Sequence, residues 1–204
     1  MAPVNIDLGA LPKAMGEVND CLAKTCSQFS QMHDALASLA GNLHNSPNAA
    51  EIHSTAKKID DELHVIYRAM GDAHDKVYES GNALLAAAGK DPMPKHDAPA
   101  PWPEMEPHRG NDDVITYDPA ALDHYADAAR AAQGAGTVAQ DIKQLFEVTI
   151  PSAFGAQASQ AISAEYNTIN ANFEEANADL EKLVGQTAGD DMNDLFALDA
   201  RLGG

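Results

Sequence analysis

The chain has 204 residues, with 13 Lys and Arg against 31 Asp and Glu and a formal charge of −18. Such a charge repels phosphate backbones and anionic lipid, which sets nucleic acid and membrane surfaces aside as partners. Alanine is abundant and aromatic residues make up only 5%, a composition that suits closely packed helices better than a sheet core.

Met1–Leu11 has neither a basic n-region nor an apolar h-region, so no classical signal peptide is expected. No run of about 18 apolar residues occurs either, so no membrane span is expected. The first periodic segment reads Leu11, Met15, Val18, Leu22, Thr25, Phe29, Met32, Leu36, Leu39, Leu43. Its steps alternate four and three, a heptad seam about 30 residues long or roughly 45–50 Å of helix. Thr25 is its single polar position. Cys21 and Cys26 lie five residues apart and face different directions, so two reduced, partly buried thiols are expected.

A turn follows over Gly41–Pro47, where Gly41 and Asn45 tolerate left-handed angles, Ser46 is a good N-cap and Pro47 fits the first helical position. The seam resumes as Ile52, Ala56, Ile59, Leu63, Ile66, Met70, Ala73, Val77, Ser80, Leu84, and Gly89 with Pro92 ends it. Two long helices joined by a short turn lie antiparallel. His53, His64 and His74 share one side of the second helix beside Asp60, Asp61, Asp72 and Asp75. A solvated polar face is the expectation for them, with a pH-responsive one as the sharper reading. Metal binding is not expected. Asp61-Glu62-Leu63-His64 is a lone approach to a di-iron ligand pair, and His44 and His53 flanking the turn are only two ligands.

Residues 91–117 hold Pro92, Pro94, Pro99, Pro101, Pro103 and Pro107, six of the 11 prolines. Proline at this density forbids helix and stiffens an extended spacer. The single tryptophan, Trp102, sits there between Pro101 and Pro103. It either folds back into a groove of the helices or offers a hook to a partner.

The second segment opens with Asp118 as N-cap and Pro119 at the first helical position, with Tyr117 and Leu122 placed for a hydrophobic staple. Its seam is small: Ala121, Ala128, Ala131, Ala135, Val138, Ile142, Leu145. After a turn over Thr149–Gly155, a return helix carries Ala158, Ile162, Tyr166, Ile169, Phe173, Ala176, Leu180 and Leu183. A break at 185–189 precedes a short amphipathic tail with Leu195, Phe196 and Leu198. The expected fold is therefore all-α: two antiparallel helical hairpins forming a four-helix bundle, with a short C-terminal helix. The expected segments are 1–90, a linker 91–117, and 118–204. Pairing within one chain gives a monomer, and pairing between chains gives a dimer.

Charge is uneven. Residues 1–90 carry 7 basic and 11 acidic side chains, net −4, and residues 118–204 carry 4 and 14, net −10. The second hairpin is therefore where a basic partner is expected.

At the second turn the sequence resembles the WXG100, or ESAT-6-like, proteins of type VII secretion. That family places Trp-x-Gly between two long helices. Here the turn reads Ala153-Phe154-Gly155, with glycine kept and Phe154 standing for the tryptophan one residue later. The small-residue run Ala156-Gln157-Ala158-Ser159-Gln160-Ala161 and the tail from Asp190 to Leu198 are also similar. The first turn has no Trp-x-Gly. The family's export signal, Tyr followed four residues later by Asp or Glu, is absent; Leu195 with Asp199 has its spacing only. The resemblance implies a tandem pair of hairpins, secreted without a classical signal peptide by a type VII system or associated with one, and acting as a protein-binding partner or adaptor. Leu195, Phe196, Asp199 and Trp102 are the expected partner contacts. The alternative is a cytoplasmic helical bundle with a regulatory or structural role. No phosphate loop, Gly-x-Ser-x-Gly or Cys-x-x-Cys occurs, so neither an enzyme nor a cofactor is expected.

Overall fold

The computed structural model describes residues 6–44, 49–95, 101–105, 116–117 and 121–187, together with 190, 193, 194, 197, 200 and 201. The fold is all-α. Its elements are α1 (Ala10–Asn42), β1 (Leu43–His44), α2 (Ala49–Ala87), β2 (Thr116–Tyr117), α3 (Ala121–Gln144), α4 (Ile150–Ala153) and α5 (Ala156–Lys182). The two strands are a two-residue antiparallel pair, Leu43 opposite Tyr117 and His44 opposite Thr116.

Helix ends follow from local chemistry. At the start of α1, the Asp7 carboxylate accepts the backbone N–H groups of Gly9 at 2.8 Å and Ala10 at 3.2 Å, satisfying donors that have no partner in the first turn. α2 ends in a Schellman motif. Gly89 takes φ 68°, Lys90 N–H donates to the Leu85 carbonyl at 2.9 Å and Gly89 N–H to Ala86 at 3.0 Å. Gly41 lies within α1, so helix runs further than the expected turn allowed. Asn45, Ser46 and Pro47 lie outside the described residues, as do Asp118 and Pro119.

The second turn is shorter than expected. Thr149–Ala153 are helical, and only Phe154 and Gly155 separate α4 from α5. The reason is a π-helical turn over Leu145–Thr149, in which Ile150 N–H donates to the Leu145 carbonyl. In an α-helix the Pro151 ring would collide with the carbonyl four residues back, and the wider turn relieves that clash. A second π turn, Leu183–Thr187, follows α5.

Contacts group the chain into two compact units. The first takes Met1–Ser27, Val65–Pro101 and Gly136–Asn172. Its core is Leu11, Met15, Val18 and Leu22 of α1, Ile66, Met70, Ala73 and Val77 of α2, Val138 and Ile142 of α3, Ile150 of α4, and Ile162 and Ile169 of α5. Thr25 is fully buried there and donates to the Cys21 carbonyl at 2.8 Å, so its hydroxyl is satisfied. After Val77 the buried face of α2 moves from Ser80 and Leu84 to Gly81 and Leu85, the drift expected when a 3.6-residue helix carries a seven-residue pattern.

The second unit takes Gln28–His64, Trp102–Ala135 and Phe173–Gly204. Phe29, Met32, Leu36 and Leu39 meet Ile52, Ala56, Ile59 and Leu63, with Ala128, Ala131 and Ala135 of α3 and Ala176 and Leu180 of α5 completing the core. Midway along α3 the helices approach closely: a Cβ on Gly134 would lie 2.2 Å from Gln28 Oε1. Tyr125 hydroxyl donates to the Val184 carbonyl at 2.6 Å.

Candidate functional site

In the second unit the linker residue Trp102 lies against the helices, half-buried. Its indole stacks on the His64 ring of α2, with centroids 5.7 Å apart and planes 6° from parallel. It meets His33 of α1 edge-on at 5.9 Å and Phe29 at 6.5 Å. Phe29 in turn meets Phe173 of α5 edge-on at 5.7 Å. These are the offset and T-shaped geometries that ring quadrupoles favour. Met105, three residues on, is also buried. Trp102 has thus folded back into a groove, one of its two expected placements.

Beneath this cluster sits a pair that sequence reasoning missed. His33 Nδ1 and Asp60 Oδ1 are 2.7 Å apart, with both side chains at most 7% exposed. The solvated face expected for Asp60 and His74 is buried at both residues, each 2% exposed. Both expectations are corrected: each residue directly follows a seam residue, Ile59 and Ala73, and flanking positions are covered once helices pack on both sides. His33 follows Met32 in the same way, and that adjacency was the available signal. His74 packs on Tyr78 at 4.6 Å and lies 3.3 Å from Asp75, whose carboxyl falls below its ordinary range because Lys95 and His74 offset the effect of burial. His53 and His64 are half-buried. The His44 side chain lies outside the described residues.

The family-like turn belongs to the first unit. Ala153 and Phe154 are buried and Gly155 is half-buried. Ser159 locks the turn, its hydroxyl donating to the Phe154 carbonyl and its N–H to Gly155, both at 3.0 Å. Nearby, Phe146 stacks on Tyr166 at 5.2 Å. Leu195, Phe196 and Asp199 lie outside the described residues.

Two surface hollows have some of their polar groups paired with one another. One, about 420 Å³ in the second unit, is lined by Gln31, Asp34, Ser38, His124, Asp127 and Arg130. Arg130 is turned to Asp127 and to the Ala126 carbonyl. The other, about 230 Å³ in the first unit, is lined by Glu17, Asp20, Cys21, Lys24, Asp141 and Thr149. Lys24 binds Asp141 at 2.8 Å and Thr149 donates to Glu17 at 2.9 Å. Burial, aided by Asp141, pushes the Cys21 thiol up to about 12, which keeps it protonated near neutral pH. Burial also raises Cys26, which is hydrogen-bonded to Tyr67. Both cysteines are free.

Among the described residues no group of three or more His, Cys, Asp and Glu could hold a metal ion, and no helix is long and apolar enough to cross a membrane. Ion pairs join the two hairpins within each unit, mostly with the base on the first hairpin. In the first unit, Lys24 pairs with Asp141 and Lys76 with Glu165. In the second, Lys58 pairs with Asp179, and Glu51 with Lys182. No family model, curated protein or solved structure matches the chain.

Proposed function

We propose that this chain is a tandem helical-hairpin protein of the WXG100-like kind, exported by or associated with a type VII secretion system, and that it acts by binding another protein. The observation that carries this reading is hairpin pairing inside one chain: α1 and α2 bind α3 and α5 through ion pairs and a shared core. A fused pair of hairpins that would otherwise associate as separate chains has this arrangement. The Phe154–Gly155 turn, closed by Ser159, supports the family reading. The pairing of Arg130 with Asp127, of Lys24 with Asp141 and of Thr149 with Glu17 in the two hollows favours contact over catalysis.

The test is made in the native host. Deleting the type VII secretion ATPase removes the protein from the culture medium while its level in the cells stays constant or rises. An unchanged level in the medium refutes the secretion reading. Light scattering of the purified chain gives a monomer, and a dimer refutes pairing within the chain.

A further inference from the structure

We propose that the linker residues 102–105 form a clasp on the second unit that tightens on acidification, with His64 as the proton-binding group and Trp102 as the gripping one. The geometry has the required form. His64 lies parallel to the indole face at 5.7 Å, within the reach at which a cation over an aromatic face is attracted to it. Neutral imidazole stacks by dispersion alone. Imidazolium adds the attraction of its charge for the indole quadrupole, and histidine is the side chain that gains this charge in the mildly acidic range.

Charged groups of both signs surround the stack. On α2, Asp60 stands one turn before His64 and Asp61 is its neighbour, opposed by Lys57, which binds Asp61 at 2.8 Å. The clasp brings Glu104, close enough to Lys57 to help hold its charge. α1 contributes His33, edge-on to the indole and hydrogen-bonded to Asp60, and α5 meets the cluster through Phe173. One turn after His64 on α2, Arg68 adds a second base to the charges that flank the His64 ring. That ring is half-buried rather than enclosed, so charging it does not strip it of water. A proton on His33 would add an ion pair with Asp60 beneath the indole, a second contribution that the variants below separate.

Trp102 is the single tryptophan, so its fluorescence reports the clasp alone. Acrylamide, which is neutral, collides with indole at a rate unaffected by the protein's changing charge. Lifetimes separate collisional access from quenching by imidazolium itself. For the full chain, the bimolecular quenching constant falls roughly two- to fivefold between about pH 8 and about pH 5.5, the factor a cation–π contact at a half-exposed site supplies. In His64→Phe, which keeps the stacking without the proton, and in His64→Gln, the constant is the same at both pH values. A wild-type constant that is flat or rises on acidification overturns the clasp. A fall that survives in both variants removes His64 from it and transfers the role to His33 and Asp60.

Discussion

Four helix glycines in the first unit separate two opposing effects of adding a methyl group. A Cβ built on Gly16, Gly71 or Gly136 meets nothing within 4 Å, and none of the three has a positive φ. Alanine there removes backbone freedom from the unfolded chain and improves helix propensity, worth about 0.8–1 kcal/mol per site. The sites lie on α1, α2 and α3, so the effects add to about 2–3 kcal/mol, or roughly 5–10 °C in Tm for a chain of this length. At Gly81 the same Cβ would lie 2.5 Å from Met15 Sδ and 3.2 Å from its Cγ. Met15 is fully buried, so the thioether must be forced into neighbouring core atoms, which costs about 1–3 kcal/mol. Propensity recovers about 1 kcal/mol of that, leaving Gly81→Ala neutral to about 2 kcal/mol destabilised. Urea unfolding followed by circular dichroism measures all four variants. In the double variant with Met15→Ala, the new methyl occupies vacated space, so the loss is smaller than the sum of the singles by more than about 0.5 kcal/mol. A Gly81→Ala protein stabilised as much as Gly136→Ala would refute the packing argument.

Lys58 stands 3.3 Å from Glu62, whose side chain is 8% exposed, and 2.5 Å from Asp179. Burial raises the Glu62 carboxyl while Lys58 opposes the rise. The native state therefore holds that proton more tightly than the unfolded chain, and stability is lost as pH rises through the native value. Lys58→Met removes the opposing charge, so its deficit is largest at alkaline pH and shrinks as pH falls and Glu62 protonates; a pH series of urea midpoints reads this, and an equal deficit at every pH refutes it. The Cys21 thiol, raised from 9.0 to about 12, is alkylated by iodoacetamide at about pH 8 roughly a thousandfold more slowly than free cysteine, because so little of it is thiolate; mass-mapped labelling at the free-cysteine rate contradicts its burial. Phe154→Ala empties a buried position at the family-like turn and costs about 3–5 kcal/mol, read as a fall in the urea midpoint; a loss below about 1 kcal/mol means the ring does not anchor the turn.

The heptad pattern made the buried stripes legible. Every position from Leu11 to Leu39 in the first seam is buried, including the polar Thr25, because a four-three alternation admits one face of one helix. Two features of the second turn were not legible: helix through Pro151, and the π turn that permits it. Proline marks where an α-helix is disfavoured, and a widened turn that accommodates it leaves no mark in composition or period. The histidines failed for another reason. Periodicity identifies the centre of a stripe, but the breadth of the buried face depends on how many neighbours pack against it. His33, Asp60 and His74 each sit one residue beyond a seam position and are closed off by those neighbours. The antiparallel register of the first hairpin brings such flanking residues together. Cys26 bonds Tyr67 in the first unit, and His33 bonds Asp60 in the second. In one sequence the flanking polar residues look like solvent-facing charge. Once the register is known they become cross-helix partners, and His33 with Asp60 becomes the polar floor on which the linker tryptophan rests.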